Sequence, residues 1–167
     1  MRDLLVNGSK QLGIDLSTKQ VEQFMKYKEL LQEWNQKMNL TAITEDEEVI
    51  TKHFLDCMTI NKAIEMDNQK TVIDIGTGAG FPGLVIKIAF PHLKVTLVDA
   101  LKKRLNFLEV VINELGLTGI ECIHSRAEDL GKNKIYREGY DICASRAVAN
   151  LAVLSEYTLP FVKIEGY

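Results

Sequence analysis

No apolar run in this sequence approaches the ~20 residues that a membrane-crossing helix requires. The opening Met1-Arg2-Asp3-Leu4-Leu5 lacks a long apolar core followed by a small-residue cleavage site, so no secretory signal is expected and a cytoplasmic location is. Cysteine is scarce. Cys57, Cys122 and Cys143 are an odd number without metal-ligand spacing, which argues against a disulfide framework and a thiolate metal site. With Cys122 and Cys143 inside predicted strands, buried free thiols are expected. His53, His92 and His124 give no metal spacing either, and His53, on an apolar helix face, reads as a hydrogen-bonded core residue. An excess of positive charge is also missing: the net charge is −3, with 9 basic and 12 acidic side chains in residues 1–70 and 11 of each in 71–167. A nucleic-acid binder usually carries a basic footprint; here only Lys102-Lys103-Arg104 and the group Lys132, Lys134 and Arg137 are locally basic. There are no repeats and no low-complexity segments. What is present is 167 residues with 46% hydrophobic and 26% charged side chains, enough for one ordinary domain with a real core.

The first sixty residues read as helices. Ser17-Thr18-Lys19-Gln20 has the form of a capping box, followed at helical spacing by Val21, Phe24, Met25, Lys28, Leu31 and Trp34. A second box, Thr44-Glu45-Asp46-Glu47, predicts a further helix carrying Val49, Ile50, His53, Phe54, Cys57 and Met58, with Asn39-Leu40-Thr41 as the link. A turn at Asp67-Asn68-Gln69-Lys70 divides residues 1–66, a helical extension, from 67–167, an alternating α/β core. Strands are expected near 71–75, 94–98, 119–123 and 140–144. Helices are expected after the first strand with Pro82 in the first turn, from Leu101 to Leu115 ending near Gly116, and around 150–158 before Pro160. Strands alternating with helices of this length imply a parallel sheet with helices on both faces. Pro160 to Tyr167 reads as the approach to another strand. With four strands in view, the sheet is expected to be truncated at its C-terminal side, leaving the fourth strand as an exposed edge.

The most informative stretch is Asp74-Ile75-Gly76-Thr77-Gly78-Ala79-Gly80-Phe81-Pro82-Gly83, set between the apolar runs Val72-Ile73 and Leu84-Val85-Ile86. Strand, glycine turn and helix in that order mark a nucleoside-cofactor site at the carboxyl edge of a parallel sheet. Gly76, Gly78 and Gly80 allow positive φ and close approach of a ligand. Gly78 to Gly83 matches the dinucleotide pattern G-x-G-x-x-G, but two residues too late after the strand and with Pro82 removing an amide that a pyrophosphate would need. Asp74 would repel a pyrophosphate and attract the sulfonium and ammonium of S-adenosylmethionine. A methyltransferase is therefore the expectation. Asp99, ending the next strand, can accept both ribose hydroxyls or cap the helix after it. Ser125-Arg126-Ala127-Glu128-Asp129 follows the third strand, where Glu128 or a neighbouring amide would read adenine, or the segment is a solvated acidic turn. Arg146, in Ser145-Arg146-Ala147 after the fourth strand, would bind the cofactor carboxylate, an acceptor base or a phosphate, unless it is a surface arginine. The Asn/Asp-Pro-Pro-aromatic run of amine methylation and a Pro-Cys nucleophile are both absent.

Taken together, Trp34-Asn35, Asn39-Leu40-Thr41, Lys52-His53-Phe54-Leu55-Asp56, the glycine segment with its Phe-Pro-Gly tail, Lys103-Arg104 with Phe107-Leu108, and Ser145-Arg146-Ala147 run in one order across nearly the whole chain. In this the sequence resembles the bacterial 16S ribosomal RNA guanine-N7 methyltransferases, also called glucose-inhibited division protein B. The resemblance implies a class I S-adenosylmethionine-dependent, Rossmann-like fold acting on a guanine of the small ribosomal subunit. It places the cofactor against Gly76, Phe81, Ala127, Glu128 and Arg146, to which charge and position add Asp74 and Asp99 and the glycine turn adds Gly78 and Gly80. Arg146 is the expected residue at the transferred methyl. The expected partner is 16S ribosomal RNA or the small subunit, with the chain a monomer that needs no metal. Cys57 and Ala100 stand where the family usually carries serine. Two other readings are a small-molecule methyltransferase of this fold and a cofactor- or RNA-binding module without turnover.

Overall fold

The computed structural model describes residues 1–66, 68 and 70–167. The expected turn at 67–70 therefore falls partly outside the described residues.

Three helical segments precede the sheet: α1 (Arg2–Gln11), α2 (Thr18–Met38) and α3 (46–62). The first capping box forms as the sequence predicts. Ser17 Oγ accepts the Gln20 amide at 3.3 Å and Gln20 Oε1 accepts the Ser17 amide at 2.9 Å. Gln20 then works at long range as well, its Nε2 donating to the Ile88 and Ala89 carbonyls at 2.8 and 2.9 Å. Asn39 ends α2 in the left-handed region, at φ 48°.

The second box does not form. The helix begins at Asp46 after Glu45, with no side-chain cap; its start is tied to α2 instead, where Gln32 Nε2 donates to the Thr44 carbonyl at 3.0 Å and Lys28 Nζ and Gln32 Nε2 each donate to Asp46 Oδ1 at 2.7 Å. Nor is α3 one regular helix. A turn of α-helix at Asp46–Glu48 passes into a π-helix over Val49–Leu55, returns to α at Asp56–Met58 and tightens to 3-10 over Thr59–Lys62. π-Helical turns are uncommon and recur at functional sites.

The core contains β1 (Thr71–Ile75), α4 (Gly83–Ala89), β2 (Lys94–Asp99), α5 (Lys102–Glu114), β3 (Ile120–His124), α6 (Ala127–Leu130), β4 (Ile142–Ala144) and α7 (Leu151–Thr158). The sheet order is β3-β2-β1-β4 and every pairing is parallel. Such pairing demands crossovers, and right-handed ones put α4 and α5 on the same face.

Side-chain alternation then divides the strands. Val72, Val95, Leu97 and Ile142 join α1 to α5 in one apolar core that the helical extension shares with the sheet. Ile73, Ile75 and Val98 point the other way and pack with Leu130, Tyr140 and Phe161. Phe24, Tyr27 and Phe54 are wholly buried in the larger core, and burying a side chain of that size is worth about 2–3 kcal/mol. Cys57 is buried as expected, but Cys122 and Cys143 are only half-buried because the strands that carry them lie at the two edges of the sheet.

Two further expectations are corrected. Pro82 sits just before α4 rather than in its first turn, after a cis Phe81–Pro82 bond. The outer edge of β4 is also not bare. The Tyr140 amide donates to the Phe161 carbonyl, the Tyr167 amide to Asp141 and the Cys143 amide to Tyr167, so the segment after α7 runs along this edge. Among the described residues no helix is long and apolar enough to cross a membrane.

Candidate cofactor site

The glycine turn connects the end of β1 to α4 and is held from below. Gly76, Gly78 and Gly80 all have positive φ, at 69°, 60° and 102°. The Thr77 amide donates to the Val98 carbonyl at 2.9 Å, and the Gly78 amide to Asp99 Oδ2 at 2.9 Å. Asp99 Oδ1 accepts the Leu101 amide, also at 2.9 Å, just before α5, while the Arg104 guanidinium lies 3.5 Å from Oδ2. This carboxylate therefore clamps the glycine turn to the start of α5. Each of its oxygens keeps a second lone pair for a ligand.

Asp74 lies beneath the same turn, with no exposure. Its Oδ2 accepts the Gly83 amide at 2.7 Å and so satisfies one of the orphan donors at the start of α4. Burial pushes its carboxyl up to about 6, opposed by the Thr77 hydroxyl and the Gly83 amide, which favour the charged form. Even so, neither Asp74 Oδ1 nor Thr77 Oγ1 completes a hydrogen bond of normal geometry with the protein.

A cavity of about 260 Å³ opens at the carboxyl edge of the strands, above this turn. Gly76 contributes to it after β1, Asp99 and Ala100 at the end of β2, Ser125 to Glu128 after β3, Val148 after β4 and Tyr157 from α7. Of the predicted residues, Gly76, Asp99, Ala127 and Glu128 meet here. Asp74 and Gly78 stand behind the wall. Gly80 is buried against Tyr27, Leu84 and Leu108, so packing explains that glycine. Phe81 and Arg146 lie outside the lining, in a second group with His53 and Asp56. There the Arg146 carbon Cζ sits 5.1 Å from the Phe81 ring centre.

Sequence reasoning missed Tyr27, whose buried hydroxyl donates to the Ala79 carbonyl at 2.5 Å and props the turn from α2. It also missed Val148 and Tyr157 on the cavity wall, and read His53 only as core. The spacing of His53 and Asp56, three apart on a helix, was a usable signal; nothing local marked the others. A larger cleft of about 460 Å³ between α2 and residues 41–44 has a lining without charge or glycine turn.

Residues 20–167 match the family described as rRNA small subunit methyltransferase G, GidB. The chain belongs to that family. It is 56% identical over 165 residues to the ribosomal RNA small subunit methyltransferase G of Thermoanaerobacter sp. (strain X514), covering 99% of this chain and 69% of the relative. It is 53% identical, with the same coverage, to the protein of that name from Clostridium botulinum (strain Loch Maree / Type A3). Solved structures agree on the fold. A putative S-adenosyl-L-methionine-dependent methyltransferase from Methanococcus maripaludis superposes with a TM-score of 0.58 at 16% identity, over 84% of this chain and 60% of that one. A methyltransferase from Thiobacillus denitrificans, in complex with S-adenosyl-L-homocysteine, gives 0.52 at 16% identity over 66% and 44%. This GidB family member thus has a class I methyltransferase fold.

Its cavity suits the cofactor of that fold. A carboxylate ends β2 on the cavity wall, hydrogen-bonded to the glycine turn, Ile75, Val98 and Val148 supply apolar wall, and Asp74 Oδ1 is an unpaired buried acceptor beneath the turn. Such an acceptor favours a cation above it.

Proposed function

We propose that this chain transfers the methyl group of S-adenosylmethionine to N7 of a guanine in 16S ribosomal RNA, as one chain acting on the small ribosomal subunit in the cytoplasm. The family match across residues 20–167 is the observation that carries this reading, and the cavity supports it.

The cofactor, when bound, supplies a methyl on sulfonium, an electrophile that needs no metal. The residues of the chain bind and orient. Asp99, already holding the turn through Gly78 and Leu101, offers its remaining lone pairs to the ribose hydroxyls. Gly76 lets the main chain approach the ligand, and Gly78, behind the wall, ties the turn to Asp99. Ala127 and Glu128 line the cavity after β3, where the adenine edge would be read. Asp74 provides negative potential under the charged end of the ligand. Gly80 and Phe81 shape the turn from outside the cavity.

Guanine N7 carries a free lone pair at neutral pH, so no general base has to remove a proton. Positioning for in-line attack is then the main contribution open to the protein. Arg146 stands after β4 as the cation next to the acceptor, and it is not a proton carrier.

The test is methyl transfer from labelled S-adenosylmethionine to unmodified small subunits, with the product read by nucleoside analysis. Label recovered as 7-methylguanosine in 16S RNA is expected. Label on a different nucleoside or on a small metabolite would overturn the assignment.

A further inference from the structure

Arg146 is gripped by one short stretch of α3. Its Nη1 donates to Asp56 Oδ2 at 3.0 Å and to the Lys52 carbonyl at 3.2 Å, while its Nη2 meets His53 Nδ1 at 2.6 Å. The partners lie 90 to 94 positions earlier in the chain. The π-helical register contributes to this arrangement: the Asp56 amide bonds the Thr51 and His53 carbonyls rather than that of Lys52, which accepts from Arg146.

The chemistry of the pair sets the state of the ring. A guanidinium has only donors, so His53 Nδ1 is the acceptor and carries no proton. The ring proton is then on Nε2, which donates to Thr41 Oγ1 at 2.8 Å. That hydroxyl oxygen also accepts the Ile43 amide at 3.1 Å. Thr41 is itself fixed by Asn35, which accepts its amide at 2.8 Å and donates to its carbonyl at 2.9 Å. The imidazole lies flat on Phe81, with ring centres 4.2 Å apart and planes 13° apart. Burial, with the Arg146 cation in support and the Asp56 carboxylate opposing, lowers His53 to about 4. The ring is therefore a neutral acceptor at the pH of a cell.

One connected path thus runs from α2 through Thr41 and His53 to Arg146. Both ends of the ring's contacts, Phe81 and Arg146, belong to segments that flank the cofactor cavity. Three of the five guanidinium N–H groups are spent on α3, and two remain unengaged among the described residues.

We infer that His53 is a positioning residue for methyl transfer: it fixes the Arg146 guanidinium on the face of Phe81, with its remaining donors available to the acceptor nucleotide, and so makes the N-terminal helical segment a working part of the site. This rests on the methyltransferase reading above. His53 does not touch the reacting atoms; its effect passes through Arg146.

The test uses His53→Phe, which keeps a flat ring on Phe81 and removes the acceptor, and His53→Asn, whose Oδ1 restores an acceptor near the position of Nδ1. With small subunits as substrate, H53F is expected to lower kcat about 10- to 100-fold, since a misplacement of about 1 Å at a reacting centre costs on that order. The KM for S-adenosylmethionine should stay within about twofold of wild type, and H53N should recover much of the rate, because only orientation was lost. The double variant H53F/R146A should be no slower than R146A alone. A folded H53F with wild-type kcat, or losses that multiply in the double variant, would overturn the inference. Nitrogen-15 spectra of the guanidinium groups give a second readout, independent of turnover. Hindered Arg146 rotation is expected in wild type and H53N and faster rotation in H53F, where Asp56 and Lys52 hold Nη1 but nothing holds Nη2; equal mobility in all three would also overturn it. If H53F does not fold, Thr41→Val, which removes the acceptor for Nε2–H together with that for the Ile43 amide, takes its place and is expected to release Arg146 partially; an unchanged spectrum would overturn the inference. Wild type that transfers no methyl while holding Arg146 rigid would defeat the proposed function and leave the His53 link standing.

Discussion

Asp74 Oδ2 accepts the Gly83 amide at 2.7 Å, so a strand-tip carboxylate caps the helix that follows the glycine turn. The same side chain has its other oxygen buried and unpaired. Asp74 thus does two things that favour opposite substitutions. Asp74→Asn keeps an oxygen for Gly83 and places an amide where the orphan oxygen stands, next to the Thr77 hydroxyl oxygen. Removing a buried charge whose carboxyl is raised from 3.8 to about 6 should stabilise the free protein by about 2–3 kcal/mol at pH 7.5. S-adenosylmethionine should bind at least tenfold more weakly, since the attraction for its cationic end is lost. Thermal melts and calorimetric titration check both. A variant that is more stable and binds equally well would remove Asp74 from the cofactor site.

A pH dependence follows from the same group. Its folded-state value, about 6, lies above the unfolded one, 3.8. The folded protein therefore binds the proton more tightly, and this contribution is fully present below about 3.8 and is lost as pH rises through about 6. The gap in melting temperature between D74N and wild type should open between pH 4 and 6 and stay constant above about 7. His53, lowered from 6.5 to about 4, acts in the opposite sense: its contribution is complete above 6.5 and is lost as pH falls through about 4. The two slopes offset each other in wild type. Comparison of each variant with wild type across pH 4–7 separates them, and a pH-independent D74N difference would contradict the burial argument.

Much of this architecture was legible because it is local. The strand starting at Thr71, the Ser17 capping box and the stop of α5 before Gly116 depend on residues within a few positions of each other. The cavity wall was legible in part for the same reason: Gly76, Asp99, Ala127 and Glu128 each follow or end a strand, and a parallel sheet brings those ends together. What could not be read was set at a distance. The helix at Asp46 starts without the Thr44 box and is tied to Lys28 and Gln32 on another helix, and the π-register of α3 is matched to an arginine some ninety residues on. Tyr27 looks like one more apolar position of α2 until its hydroxyl is found on Ala79.

The glycines of the turn are not equivalent, and alanine should separate them. A Cβ on Gly78 meets nothing nearer than the Gly76 carbonyl oxygen at 4.0 Å, so G78A carries only the left-handed strain, about 1–2 kcal/mol. A Cβ on Gly80 would lie 2.7 Å from the Tyr27 hydroxyl, 2.9 Å from Leu84 Cβ and 3.0 Å from Leu108 Cδ2. Overpacking of that kind adds about 1–3 kcal/mol to the strain. G80A is therefore expected to unfold at clearly lower denaturant than G78A. Equal midpoints would mean that the turn yields at Gly80 without disturbing Tyr27.

Gly76 tests the wall of the cavity itself. Its φ is +69°, and a Cβ there would stand 2.6 Å from Cγ2 of Val148, in the segment between β4 and α7. Val148 is 39% exposed, so it can give way where Leu84 and Leu108 cannot. G76A should accordingly fold, with a modest loss of about 1–2 kcal/mol from backbone strain, and push Val148 away from the glycine turn. Because Val148 lines the cavity alongside Asp99 and Glu128, that displacement should weaken S-adenosylmethionine binding by roughly tenfold, the effect of about 1.4 kcal/mol. Val148→Ala removes the clashing methyls. In the double variant G76A/V148A, affinity should return most of the way to that of V148A alone, while the strain on stability remains. Calorimetric titration of the three variants decides the point. If G76A/V148A binds no better than G76A, the added methyl acts on the ligand directly, and Val148 is not the wall that Gly76 keeps in place.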